Sequence, residues 1–166
     1  MDINQKHLHY LVEAMYAVQD SPALDEYGSK IFGRPVQGTW KLFRYIAKTA
    51  VADVWRWSPD KELASYPSEV GVSTFEEFAT FMLHEVTHGW CYFLKINPSS
   101  RNYQTGVDEE QVCWDVSKLM CEMLNISYQK KSANLCHKFH FLAQARDIKG
   151  LKRILKKLPA HSCERV

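Results

Sequence analysis

The chain has 166 residues, a size typical of one domain, and its 46% hydrophobic and 24% charged residues are ordinary for a globular protein. This composition excludes intrinsically disordered, collagen-like and low-complexity proteins. No apolar run approaches the roughly 20 residues of a membrane span, and the N-terminal residues lack the pattern of a secretion signal. The five cysteines include no C-x-x-C pair, so we expect reduced thiols and an intracellular, cytoplasmic location.

The net charge of +2 is unevenly distributed along the chain. From residue 129 to the end, ten Lys and Arg residues stand against two acidic residues, which gives this segment +8 and leaves −6 on the first 128 residues. We predict one domain over 1–166, of which 129–166 form a basic helical tail. Such a tail could bind nucleic acid, but a solvated face that docks its leucines on the core is the favoured interpretation.

Hydrophobic periodicity and chain breakers predict a predominantly helical α+β fold with a small sheet before the central helix. The predicted elements, in chain order, are a helix over 4–18, loop or turn over 21–38, a helix over 39–54, small strands within 55–72, helices over 73–94 and 107–124, and one or two helices within 133–158. The central helix has two possible capping boxes, Ser73 with Glu76 or Thr74 with Glu77. If the C-terminal segment is broken into two helices, we expect the break at Gly150.

The central helix carries the sequence His84-Glu85-Val86-Thr87-His88, which is the H-E-x-x-H pattern. Residues four apart lie above one another on a helix face, about 6 Å apart at Cβ. Two imidazoles in that arrangement can reach one Zn²⁺ with Zn–N bonds of about 2.0–2.1 Å. Glu85 is rotated by about 100° from His84, so its carboxylate flanks the ion and can deprotonate a metal-bound water. The helix is apolar nearly all round, which indicates that these polar residues are buried and need partners.

A third protein ligand is expected on the following helix. The extended pattern H-E-x-x-H-x-x-G-x-x-H fails, because Cys91 and Leu94 occupy the glycine and third-histidine positions. A glutamate on the next helix is the other common solution. The inner face of this helix is marked by apolar or small residues at Val112, Val116, Leu119, Met120 and Met123. A step of three residues back from Val112 places Glu109 on the same stripe. We therefore expect Glu109 to be the third ligand, with Glu110 as the alternative. An acidic first turn favoured by the helix dipole would explain both residues without a metal.

Together, these features resemble the glutamate-type zincin metallopeptidases, and among them the small ImmA/IrrE-like and phage-type members. The resemblance covers about 73–124, and position 112–113 is Val-Cys where the ImmA/IrrE group usually has a small residue followed by Asn. It implies a zincin-like fold, one zinc ion per chain, and a peptide or protein substrate. It also implies that His84, His88 and Glu109 bind the zinc and that Glu85 is the general base for peptide-bond hydrolysis.

The resemblance further implies an oxyanion donor and a strand that pairs with the substrate. Tyr103, Tyr128, His137 and His140 are the candidate donors. The substrate backbone is expected to pair with an edge strand within 62–72. Asp108 or Asp115 could hydrogen-bond a ligating imidazole, although either is more often a solvated acid.

Three further hypotheses remain open from the sequence. A second, structural zinc could be held by Cys136, His137, His140, His161 and Cys163. Their spacing matches no standard site, so partly buried helix residues and a frayed chain end are the favoured interpretation. The fold could be a binding or regulatory module with metal but little turnover. Alternatively, the protein could bind nucleic acid through its basic tail, with a coincidental H-E-x-x-H.

Overall fold

The computed structural model describes residues 5–33, 36, 49–52, 56–67, 74–93, 109–144 and 146–155. The elements are α1 (Gln5–Val18), α2 (Pro22–Phe32), β1 (Thr49–Ala52), β2 (Arg56–Ser58), β3 (Leu63–Pro67), α3 (Phe75–Phe93), α4 (Glu109–Met123), α5 (Lys130–Gln144) and α6 (Ile148–Leu155). This confirms a predominantly helical α+β fold. Within the described ranges, no helix has the length and apolar character needed to cross a membrane.

Helix α2 occupies a segment that the sequence analysis assigned to loop, so that prediction was wrong. Two of the chain breakers in this segment, Pro22 and Gly33, instead mark the two ends of the helix. Ser21 is the N-cap, its hydroxyl accepts a hydrogen bond from the Leu24 amide, and Pro22 follows in the first turn. Gly33 ends the helix with a left-handed φ of 65°, a conformation that glycine adopts without a steric penalty.

Gly28, in the middle of α2, is required by packing. It is buried, and a Cβ atom at this position would lie 2.5 Å from Cγ2 of Val36 and 3.1 Å from Cη2 of Trp90. Trp90 lies on α3 and is fully buried. The glycine therefore allows α2 to approach the central helix closely.

We expect Gly28→Ala to destabilise the protein. The higher helix propensity of alanine would contribute up to about 1 kcal/mol, but overpacking a filled core costs about 1–3 kcal/mol. The free energy of unfolding, measured by urea titration, should fall. The same substitution in a Val36→Ala background should cost less, because the closest clash is removed. A higher stability of Gly28→Ala would contradict this packing.

A three-stranded sheet precedes α3, in the order β1-β3-β2. β1 pairs in parallel with β3, and β2 pairs with β3 in the antiparallel sense. The prediction of a helix over 39–54 is wrong at its C-terminal end, because Thr49–Ala52 is a strand. Residues 39–48 lie outside the described part of the chain. β3 has a neighbour on each side, so the edge strand expected within 62–72 is not found in Leu63–Pro67. The described edges of the sheet are β1 and β2.

Helix α3 lies at the centre of the molecule. It begins with the second predicted capping register, in which Thr74 Oγ1 accepts a hydrogen bond of 3.2 Å from the Glu77 amide. It packs against β2 and β3 on one side and most extensively against α4. Its fully buried side chains include Phe78, Phe81, Met82, Leu83, Val86 and Trp90. The prediction of a buried central helix is confirmed.

Helix α4 is fixed to α3 by small and polar groups as well as by apolar packing. Ser117 Oγ donates a 2.6 Å hydrogen bond to the carbonyl oxygen of Thr80, and Ser117 is fully buried. The buried residues of α4 are Val112, Cys113, Trp114, Val116, Ser117, Met120 and Cys121. Because α1 and α2 also contact α4, its position is set from several sides.

The C-terminal helices depart from the prediction in one respect. The break between α5 and α6 lies around Arg146, which has a φ of 55°, whereas Gly150 is a buried residue inside α6. The cysteines also differ from expectation at one position. Cys91, Cys113 and Cys121 are free thiols, but Cys136 is disulfide-bonded.

Candidate metal centre

The two histidines of the H-E-x-x-H pattern lie side by side on α3. His84 is 3% exposed, and the His88 side chain is 19% exposed. Their Nε2 atoms are 3.1 Å apart, and the planes of the two rings meet at 81°. Both Nε2 atoms therefore approach the same point, as the spacing of the pattern predicts.

Glu110, on α4, completes this group. Its Oε2 atom lies 3.2 Å from Nε2 of His84, and its Oε1 atom lies 3.1 Å from Nε2 of His88. The potential ligand atoms of His84, His88 and Glu110 all lie within 4.8 Å of one another. Two successive helices thus bring two imidazole nitrogens and a carboxylate together.

Glu109 contacts the opposite nitrogen of His88. Its Oε1 atom is 2.8 Å from Nδ1 of His88. A hydrogen bond from Nδ1–H to this carboxylate fixes the ring orientation and leaves the Nε2 lone pair directed towards His84 and Glu110. Carboxylates in this position commonly orient metal-binding histidines. The geometry thus places Glu110, the alternative ligand from the sequence, among the ligand atoms and Glu109 behind one of them.

The helical face of α4 explains this arrangement. The apolar stripe used in the sequence analysis included Leu119 and Met123, which are only partly buried. The face that contacts α3 includes Cys113 and Ser117, which are fully buried. Glu110 precedes these residues by three and seven positions, and so it lies on their side of the helix.

The donor set and its dimensions fit a zinc ion. Two imidazoles and one carboxylate are a common zinc-binding combination, with a fourth position left for water or substrate. In a tetrahedral site with bonds of about 2.0–2.1 Å, neighbouring ligand atoms lie about 3.3 Å apart. The two imidazole nitrogens are 3.1 Å apart, and each lies 3.1–3.2 Å from a different oxygen of the Glu110 carboxylate, so these separations are close to that value.

The electrostatics of the group are dominated by its acidic residues. Burial alone would lower the pKa of His88, but the carboxylates of Glu110, Glu109 and Glu85 hold it well above the usual value. Burial alone would raise the pKa of Glu110, but His88 and His84 keep it well below its usual range. Each group of this pair therefore favours the charged form of the other. A metal ion would compete with protons for the nitrogen lone pairs.

Trp114 is a site residue that the sequence analysis did not identify. Its ring lies 3.8 Å from that of His84 at an angle of 34°, and Phe81 meets Trp114 edge-on at 5.9 Å. The indole is 5% exposed, so it forms an apolar wall behind the histidine. Its position four residues after Glu110 was the available signal, because residues four apart share a helix face.

The other predicted site residues have different surroundings. Glu85 is partly exposed on α3, and its charge acts on His88. Tyr128 is half-buried between α4 and α5; burial raises its pKa, with smaller effects of Cys121 and Asp115. His137 is partly buried on α5 and belongs to neither group of potential metal ligands among the described residues. Asp115 accepts hydrogen bonds from Tyr27 at 2.9 Å and from Gln111 at 2.7 Å.

Several predicted positions cannot be placed in this site. Tyr103, Asp108, His161, Cys163 and the side chain of His140 lie outside the described residues. The proposed second zinc site loses one ligand in any case. Because Cys136 is disulfide-bonded, it offers no thiolate to this alternative, which the spacing of the residues did not favour.

Comparison with protein-family models, curated proteins and solved structures finds no significant match for this chain. The geometry of the metal centre is therefore the basis for assigning a function to this chain.

Proposed function

We propose that this protein is a zinc-dependent metallopeptidase. The observation that carries the proposal is the convergence of the two Nε2 atoms of His84 and His88 on the carboxylate of Glu110, at 3.1–3.2 Å. We assign these three residues as the zinc ligands. This assignment takes Glu110, the alternative third ligand named from the sequence, in place of Glu109.

A zinc ion in this position would supply Lewis-acid activation of a water molecule and of the substrate carbonyl. Glu85 follows His84 directly and is partly exposed, so its carboxylate can reach solvent and substrate. In the proposal, Glu85 takes a proton from the attacking water and later delivers it to the leaving amine. Glu109 keeps the His88 ring in the orientation that directs Nε2 to the site.

The proposed substrate is an extended peptide or an unfolded protein segment. An extended chain can add to a sheet through backbone hydrogen bonds at an exposed edge. Because β3 is the central strand, β1 and β2 are the described edges, and β2 contacts α3 directly. We therefore favour β2 as the strand along which the substrate lies, in place of the edge strand expected within 62–72.

The proposal is tested by metal content together with proteolysis. We expect about one zinc per chain in protein purified without added zinc, and cleavage of an unstructured protein such as casein that stops on chelation and returns with zinc. The His84→Ala/His88→Ala variant should lose both the metal and the cleavage, because two of the three ligands are gone. A His7→Ala/His9→Ala variant, altered in α1, should retain both. A wild-type protein that binds no offered zinc would refute the proposal.

A further inference from the structure

A second group of potential ligands lies on the other side of His88. A ring nitrogen of His88, a carboxylate oxygen of Glu109 and the thiol of Cys113 lie within 4.8 Å of one another, and Nδ1 is the nitrogen that contacts Glu109, at 2.8 Å. The first group uses Nε2 of the same imidazole. His88 therefore stands between two groups of metal-binding atoms.

The second group has the chemistry of a site for a thiophilic cation. Imidazole, carboxylate and thiolate are all zinc ligands, and thiolate also binds cadmium and other soft ions strongly. Cys113 is a free, fully buried cysteine on α4, and its thiol is hydrogen-bonded to the free and buried Cys91 on α3. The side chains of Glu109 and His88 are 15% and 19% exposed, so an ion can reach the group past them.

A second divalent cation at this group would displace two protons, one from the Cys113 thiol and one from Nδ1 of His88.

We propose that His88 bridges two cations, one at Nε2 with His84 and Glu110, and a second, thiophilic one at Nδ1 with Glu109 and Cys113. The second ion binds more weakly than the first, because the two positive charges repel and two protons must leave. A cation bound here would take the place of the thiol proton of Cys113, because the thiolate is the metal-binding form. Glu109 orients His88 when the second site is empty and binds the ion when it is filled.

Cobalt titration of the full chain tests this inference. Binding stoichiometry is measured by equilibrium dialysis, and a sulfur ligand is detected by thiolate-to-cobalt charge-transfer absorption in the near ultraviolet. We expect two equivalents of Co²⁺, with the charge-transfer band appearing with the second. Cys113→Ser should lose the band and the second equivalent while keeping the first. Cys121→Ser, which alters another free, buried cysteine of α4, is the matched control and should keep both.

A second variant separates this inference from the peptidase proposal. His84→Ala removes a ligand of the first site only, so the thiolate band should persist. A wild-type protein that binds one equivalent without the band would overturn the inference, as would a band that survives Cys113→Ser. Circular dichroism confirms that each variant is folded, and Cys113→Ala replaces Cys113→Ser if the serine variant fails to fold. A protein with the thiolate band but no proteolysis would support the second site and refute the peptidase.

Discussion

Replacing Glu85 by glutamine is expected to lower the rate of peptide hydrolysis by about 10²–10⁴-fold, the range typical of a lost general base. Glutamine has nearly the same shape as glutamate but cannot accept the proton of the attacking water. Zinc content should stay at the wild-type level, because Glu85 is not among the three proposed ligands. Initial rates of cleavage of an unstructured protein, measured beside the zinc content of the same sample, test both statements.

The matched control for this variant is Glu76→Gln, in the first turn of the same helix. Glu76 is partly exposed, and its carboxylate lies more than two helical turns before Glu85. Its replacement should leave both hydrolysis and zinc content unchanged. If Glu85→Gln kept full activity with zinc bound, Glu85 would not be the base. If no variant or wild-type sample cleaved any peptide while zinc was bound, the fold would be a metal-binding module.

The central helix and its two histidines could be predicted because the information is local. The H-E-x-x-H spacing places both imidazoles on one face through helix geometry alone, and the surrounding apolar residues indicate burial. The structure brings His84 and His88 together as expected. Local capping chemistry also predicted the start of the helix to within one residue, at Thr74.

Helix α2 shows where local signals misled the prediction. Pro22, Gly28 and Gly33 in a short segment favour loop when each is read as a breaker. In the structure, Pro22 and Gly33 occupy the start and the end of a helix, and Gly28 is needed because Trp90 of a distant helix packs there. Glycine is needed at position 28 because of a tertiary contact, and the hydrophobic periodicity of α2 gives no information about that contact.

The third ligand could be predicted only as one of two neighbours. The apolar stripe on α4 pointed to Glu109, but the face that contacts α3 includes Cys113, Trp114 and Ser117. A hydropathy pattern does not mark serine as a buried residue, so Ser117 gave no signal that its side of α4 faces α3. The central position of β3 was likewise not predictable, because each residue of β1 pairs with a residue of β3 that lies 15 positions later, as Thr49 does with Ala64.

Replacing Glu110 or Glu109 is expected to lower zinc affinity by different amounts, because the two residues have different proposed roles at the metal centre. Glu110→Ala is expected to lose its zinc during purification, because the first site keeps only two protein ligands. Glu109→Ala removes the hydrogen bond to Nδ1 of His88, and loss of such a partner lowers metal affinity by about 10–100-fold. Competition with a chelating dye measures the two affinities on the same scale.

The exposed Glu122 at the other end of α4 supplies the control, since Glu122→Ala removes a carboxylate that pairs only loosely with Lys118 at 3.8 Å. Its zinc affinity should equal that of the wild type. A reversed order, with Glu109→Ala losing the ion and Glu110→Ala keeping it, would make Glu109 the ligand that the apolar stripe indicated. That result would require one of two things: a rotation of α4 by about 100° when the ion binds, because neighbouring residues differ by this angle on a helix, or occupation of the group of His88, Glu109 and Cys113 in place of the first site. The buried hydrogen bond of 2.6 Å between Ser117 and Thr80 opposes such a rotation, and for this reason we expect Glu110 to hold the zinc.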